Sequence, residues 1–276
     1  MGAKRIEWLD LAKGMAIFLM VCGHTSIPSS ISNWIWSFHM PLFFIVSGML
    51  FFPKRTPSFI AFVKKRCRTL LLPWIVFTIV TICYSPTESL RLLSGCHNLF
   101  ALWFLPVLFL TELIGYYIVK IRSWGRLIFA ILLATIGFIM DRYRVNLPFD
   151  IEVSLYASLF YVVGYISREK IIRTESKWLM IVLLLGLNVL LSQMLPRTDM
   201  ASNQCGWYCI NAVNAMIGTM AFFLLAKKME NLGSQNFVKG FFVWAGTNTI
   251  VVLGLSQVIN LFYERMYEFT AFKIRN

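Results

Sequence analysis

Leu9-Asp10-Leu11-Ala12-Lys13-Gly14-Met15-Ala16-Ile17-Phe18-Leu19-Met20-Val21-Cys22-Gly23-His24 is an apolar run carrying three ionisable side chains. Counted over 8–27, the segment is long enough for a helix that crosses a hydrocarbon core, which takes about 20 mostly apolar residues. Ionisable groups are costly in that medium and tend to be kept for a pathway or for chemistry. Lys13 and His24 stand eleven positions apart. That is about three turns plus 20°, so a helix puts both on one face, about 16 Å apart along its axis. Asp10 precedes Lys13 by three residues and shares that face.

The apolar character recurs outward along the whole chain of 276 residues, 58% of them hydrophobic and only 14% charged. Nine segments read as membrane spans: 8–27, 34–52, 70–84, 99–119, 127–140, 153–167, 178–195, 207–226 and 240–262. The expected fold is all-α, a polytopic integral membrane helical bundle of about nine transmembrane helices. It forms a single domain over 1–276 with no soluble domain, since the longest loop, 53–69, is too short to hold a core. Glu7 and Asp10 at the head of the first apolar run argue for a retained anchor instead of a cleaved signal peptide.

Charge tests this topology. With a cytoplasmic N-terminus, nineteen of the 26 basic residues fall on the inner side and three in the tail, leaving Arg91, Arg142, Arg144 and Arg197 outside. This is the positive-inside pattern. It accounts for the net charge of +13 without a nucleic-acid partner, and none is expected. Membrane lipids are expected partners, because the run Lys64, Lys65, Arg66, Arg68 suits anionic headgroups. The six cysteines show no metal-ligand spacing, and no metal is expected. Cys96 and Cys205 both fall in exterior loops, so a bridge between them is open.

His24 and His39 flank the short loop 25–33 that joins two antiparallel spans, which brings both imidazoles to similar depth near the outer side. An imidazole titrates near neutrality and serves as a general base on a hydroxyl. Structural hydrogen bonds between helices are the alternative for both. Asp10 and Lys13 read equally as an interfacial ion pair. Glu112 is the one carboxylate well inside a span, either a functional group or the partner of a basic side chain holding two helices together. Asn211 with Asn214, and Asn188 with Ser192, read as interhelical hydrogen-bonding pairs.

The pattern Leu-Asp-x-x-Lys-Gly, followed by ten positions from Lys13 to His24, resembles the membrane acyltransferase 3 family. The continuation Phe38-His39-Met40-Pro41-Leu42-Phe43-Phe44-Ile45-Val46-Ser47-Gly48 is similar to its fucose 4-O-acetylase and sugar O-acetyltransferase group. Further matches are Arg66-Cys67-Arg68 before Leu72-Pro73-Trp74, Trp103-Phe104-Leu105-Pro106, and Phe160-Tyr161-x-x-Gly164-Tyr165. The resemblance implies a membrane-bound O-acyltransferase, moving an acyl group, usually acetyl, from cytosolic acyl-CoA to a hydroxyl of a cell-surface carbohydrate or lipid-linked sugar. Acyl-CoA is a donor substrate; no permanently bound cofactor is expected. The implied location is a bacterial cytoplasmic (inner) membrane. His24, Lys13, Asp10 and His39 are then the catalytic candidates; Lys13, Lys65, Arg66 and Arg68 bind donor phosphates; His39, Trp103 and Glu112 meet the acceptor.

Two departures stand out. Related proteins often carry a histidine where this chain has Ser256, and the family usually has ten spans, whereas the tail 263–276 is too polar for a tenth. A transporter or flippase, or a non-catalytic membrane ligand-binding domain, remains the alternative function.

Overall fold

The computed structural model describes residues 6–53, 58–84, 100–232 and 236–275. The basic residues Lys4, Arg5 and Arg91, together with Cys96 and His97, lie outside the described residues. The first apolar run is helix α1 (Glu7–Gly23). A short turn returns the chain as α2 (Ser29–Leu50). Next come α3 (Phe59–Arg66), a π-helical turn at Cys67–Leu71 and α4 (Leu72–Tyr84). A 3₁₀ turn, Phe100–Trp103, leads into α5 (Phe104–Ile118). The remaining helices are α6 (Ser123–Arg142), α7 (Ile151–Arg173), α8 (Trp178–Met194), α9 (Tyr208–Glu230), α10 (Phe237–Thr247) and α11 (Thr249–Arg275). The protein is an all-α, polytopic membrane bundle.

Among the described residues, five helical stretches are long and apolar enough to cross a membrane: Phe59–Cys83, Ala101–Ile118, Ser123–Arg142, Pro148–Arg173 and Tyr208–Glu230, with α10 and α11 a sixth if counted as one span. Helices also cover the other expected segments, as the 17-residue α1, the more polar α2 and the 17-residue α8.

Two sequence expectations change. The stretch 53–69 is not a loop throughout, because its basic run lies on α3 and the π turn. Pro73 explains the π turn: without an N–H it cannot bond the carbonyl four residues back, and a widened turn accommodates its ring. The ninth span is likewise not one straight helix; α10 and α11 meet at an angle of 88°. Asn248 sits at the break, where its N–H and side-chain amide both bond the Trp244 carbonyl and so close α10.

Helices α1, α2, α7 and α9 supply most of the buried core, while α6 and the α3–α4 stretch keep most of their surface outward. Four glycines, in two pairs, set the closest helix approaches. A Cβ on Gly48 would overlap the Tyr161 carbonyl of α7, and one on Gly164 would overlap the Ile45 carbonyl of α2. Gly14 and Gly246 do the same for α1 and α10, against the carbonyls of Phe242 and Asp10. In a bilayer such small-residue seams replace the hydrophobic drive that packs helices in water.

Polar contacts tie the remaining helices. Asn188 of α8 donates to Asn214 Oδ1 of α9 at 2.8 Å and accepts from Trp34 Nε1 of α2 at 2.8 Å, an interhelical knot of the expected kind. Asn211 instead holds the α8–α9 connection, donating to Thr198 Oγ1 at 2.7 Å and accepting from the Trp207 N–H. Lys227 donates to the carbonyls of Ile171, Ile172 and Thr174, capping the C-terminal end of α7.

The bundle thus has two distinct ends. A basic end gathers the start of α1 and the ends of α2, α5, α7 and α9. The opposite, histidine end gathers the α1–α2 turn with the α6–α7 and α8–α9 connections, joined by contacts such as Gln193 Nε2 to the Ser30 carbonyl and the Cys205 N–H to Asp141 Oδ2.

Candidate functional site

His24 is the first residue past α1, and its N–H still bonds the Met20 and Val21 carbonyls at 3.2 Å each. It therefore lies beyond the helix, in the turn, half-buried. Trp36 and His39 are three residues apart on α2 and so share a face. The Trp36 ring lies edge-on to both imidazoles, with centroids 5.4 Å from His24 and 5.6 Å from His39. The structure thus brings the two histidines to one site, joined through a tryptophan.

His39 is buried, with Nδ1 2.8 Å from the Ile35 carbonyl. In the neutral ring that contact puts the proton on Nδ1 and leaves Nε2 as the basic atom. The α8–α9 connection closes the site: Arg197 Cζ stands 4.8 Å over the Trp36 ring. Asp199 is held two residues on, where its Oδ1 accepts from the Ala201 N–H at 3.0 Å. Burial lowers the His24 pKa below the ordinary imidazole value; Asp199 opposes the shift and Arg197 adds to it. Nearby, burial first and the Asp141 carboxylate second push the Cys205 thiol up, so it stays protonated and unreactive as a thiolate.

Toward the other end of α1, Lys13 Nζ is 2.8 Å from Asp10 Oδ1. Asp10 is buried and Lys13 half-buried. Lys239 Nζ reaches Glu7 Oε1 at 2.7 Å as well as the Glu230 and Leu232 carbonyls. It anchors the start of α1 to the chain leading into α10.

The basic run divides by face. Lys65 and Arg68 are exposed, whereas Arg66 turns inward, its Nε 2.7 Å from Oε2 of the fully buried Glu112. Ser47 donates to the other Glu112 oxygen. Arg66 and Glu112 thus form an ion pair between two helices, and the same contact occupies Arg66. Trp103 is buried and packs on Phe104, which packs on Phe43 and Phe44 of α2, one turn along from His39.

A cavity of about 790 Å³ opens at the basic end, lined in part by Lys120, Arg126 and Arg168 with Phe52 and Tyr165. Arg168 lies over Phe52 at 4.1 Å and Arg126 over Tyr165 at 5.5 Å, arrangements that hold guanidinium groups in place without neutralising them. Sequence reasoning missed this cavity, along with Trp36, Arg197 and Asp199. The spacing of Trp36 to His39 was the one local signal available; the other residues meet only in the folded bundle. Ser256, at the position where a histidine is often found, is buried and donates to the Leu253 carbonyl at 2.8 Å.

Residues 6–273 match the sequence profile of the acyltransferase domain Acyl_transf_3. The chain belongs to that acyltransferase family. No curated protein and no solved structure matches the chain significantly. In this membrane acyltransferase, then, Lys13 lies on α1 paired with Asp10 of the same helix, while His24, just past its end, stands beside Trp36 of α2, over which Arg197 of the α8–α9 connection lies.

Proposed function

We propose that this protein is an O-acyltransferase that takes an acyl group, acetyl in the simplest case, from acyl-CoA at the basic end and delivers it to a carbohydrate hydroxyl at the histidine end. The observation that carries the reading is the His24–Trp36–His39 cluster, set at the end of the same helix that holds Lys13. On this reading the basic end faces the cytosol, as the positive-inside pattern requires. The membrane is a bacterial inner membrane, and the acceptor class is that of the sugar O-acetyltransferase group.

The donor's phosphates have several cationic partners at the basic end. Lys65 and Arg68 are exposed for that role, and Lys120, Arg126 and Arg168 line the cavity at the same end of the bundle. Lys13, oriented by Asp10, lies part-way along the route. The rise from Lys13 to His24, about 16 Å, suits an extended pantetheine arm threaded along α1.

At the histidine end, His24 takes the proton of the acceptor hydroxyl as the oxygen attacks the thioester carbonyl. A C–O bond forms, the C–S bond breaks, and the imidazolium returns its proton to the departing thiolate, giving the ester and free CoA. The lowered His24 pKa keeps the ring neutral and able to act as this base. Asp199 steadies the imidazolium, and His39 assists on the acceptor side through Nε2.

The test is free-CoA release from acetyl-CoA by membranes containing the protein, with a glycan acceptor added. His24→Ala is expected to abolish release while the protein still inserts. Retained activity would remove the mechanism. Acceptor translocation without any CoA release would favour a carrier.

A further inference from the structure

A second cavity, of about 720 Å³, opens at the histidine end between the end of α6, the α6–α7 connection and the α8–α9 connection. That volume is within the range of small-molecule sites, about 300–1,000 Å³. Arg142, Arg144 and Arg197 all line it. They are three of the four basic residues that the topology places on this side, the fourth being Arg91. A chain that keeps its basic residues mainly at the other end has brought these three to one cavity. Among the described residues, none of the three forms an ion pair with a carboxylate. Asp141 also lines the cavity, but its Oδ2 is engaged by the Cys205 N–H at 2.9 Å.

Asn203 gives an independent sign of a ligand. It lines the cavity, is only 5% exposed, and neither its Nδ2 nor its Oδ1 has a hydrogen-bond partner. A buried amide without partners costs stability. The position also holds a left-handed backbone, φ 51°, a state that few residues other than glycine, asparagine and aspartate adopt readily. Trp207, largely exposed, adds an aromatic face to the same wall.

We propose that this cavity is the acceptor subsite and that it selects a carbohydrate carrying a carboxylate or phosphate group. The inference rests on the acyl-transfer reading above and names the substrate class for it. Guanidinium forks match the geometry of a carboxylate or phosphate. The Asn203 amide both donates and accepts, which suits sugar hydroxyls, and Trp207 provides a stacking face for a ring. Arg197 joins this cavity to the reaction site, since it also lies over Trp36 between the two histidines. An acceptor anchored by its anion therefore presents a neighbouring hydroxyl toward His24. An anionic phospholipid headgroup offers the same phosphate chemistry from another source.

The test uses the full chain in phosphatidylcholine nanodiscs, with binding of glucuronate, glucose 1-phosphate and neutral glucose measured by saturation-transfer NMR. Both acidic sugars are expected to bind at least about tenfold tighter than glucose. Arg142→Gln and Arg144→Gln are each expected to weaken them about ten- to hundredfold, the loss of one charge-assisted contact. Asn203→Asp tolerates the same backbone state but adds a negative charge, so it should weaken the acidic sugars and spare glucose. Variants are compared only where thermal unfolding matches the parent, with Arg144→Lys as the charge-retaining alternative, expected to keep most of the preference.

Equal binding of acidic and neutral sugars, or unchanged binding in both glutamine variants, overturns the subsite. Displacement of both acidic sugars by short-chain phosphatidylglycerol that binds tighter than either overturns the carbohydrate assignment in favour of lipid. Free-CoA release separates this inference from the reading it rests on. Release with neutral glycans and no preference for acidic ones removes the subsite and keeps acyl transfer. Arginine-dependent sugar binding with no release for any acceptor removes acyl transfer and leaves an anion site.

Discussion

The two ends of α1 are built by opposite means. Around Lys13 the helix is clamped: Gly14 and Gly246 allow backbone contact with α10, while the Asp10–Lys13 and Glu7–Lys239 pairs fix the side chains. Around His24 the helix gives out, and beside Trp36 and His39 of α2 this end of the bundle is built from three connections. Every positive-φ residue among those described, Arg144, Phe149, Asp150, Asn203 and Gly206, lies in two of these connections. Such backbone states cost about 1–2 kcal/mol for a non-glycine residue and gather where function requires an arrangement that regular elements do not provide. One end is built as scaffold, and the other, on the reading proposed above, as a ligand site.

The sharpest way to break this contrast is at His24 itself. His24→Ala is expected to lower acyl transfer by about 10²- to 10⁴-fold with little change in the unfolding temperature in detergent, since the residue lies beyond the helix. A variant equally damaged in stability and activity would make His24 part of the scaffold.

Glu112→Ala is expected to show the reverse. It strands Arg66 beside a buried site and should cost about 3–5 kcal/mol, read as loss of thermal stability. The double variant Glu112→Met with Arg66→Met should recover most of it. Failure of the double variant to recover stability, with acyl-CoA affinity lost, would return Arg66 to the donor site.

Gly246→Ala drives a Cβ into the Asp10 carbonyl and is expected to destabilise by about 1–3 kcal/mol. Thermal unfolding should detect this, whereas alanine at Gly186, whose Cβ would meet nothing within 4 Å, should be tolerated.

The smallest effect is on pH dependence. The base must be neutral to act, and burial lowers the His24 pKa, so the acid limb of kcat/KM should fall below the ordinary imidazole value of about 6.5. Asp199 raises that pKa; Asp199→Asn should therefore move the limb to still lower pH. A limb at or above about 6.5 in the parent would contradict the assignment of His24 as the base.

Much of the fold was legible because lipid constrains sequence strongly. Apolar runs long enough to span a membrane mark helices, and loop charge marks the sides. Boundaries were less legible where local chemistry competed. The 53–69 segment reads as polar and therefore as loop, yet Phe59 and Phe62 pack on Tyr116 and carry the basic run onto a helix. The break at Asn248 was hidden inside an apolar run, because an 88° turn between two helices leaves no gap in hydropathy.

The site divides in the same way. Asp10 and Lys13 share a face by helical periodicity alone, and the meeting of His24, at the helix end, with His39 follows from the shortness of the first hairpin. Those relations are local, so the order of residues fixes them. The partners Arg197 and Asp199 are more than 150 positions from His24 and Trp36; their approach depends on how α8 and α9 dock against α2. By itself the sequence determined a helical membrane bundle with a basic side and a histidine-bearing turn. Only the tertiary structure decided which charges meet: it paired Arg66 with Glu112 and brought Arg142, Arg144 and Arg197 to one wall. The physical reason is that side-chain spacing within a helix is set by the backbone, whereas contacts between helices are set by packing, here by glycine seams and buried polar pairs distributed across the whole chain.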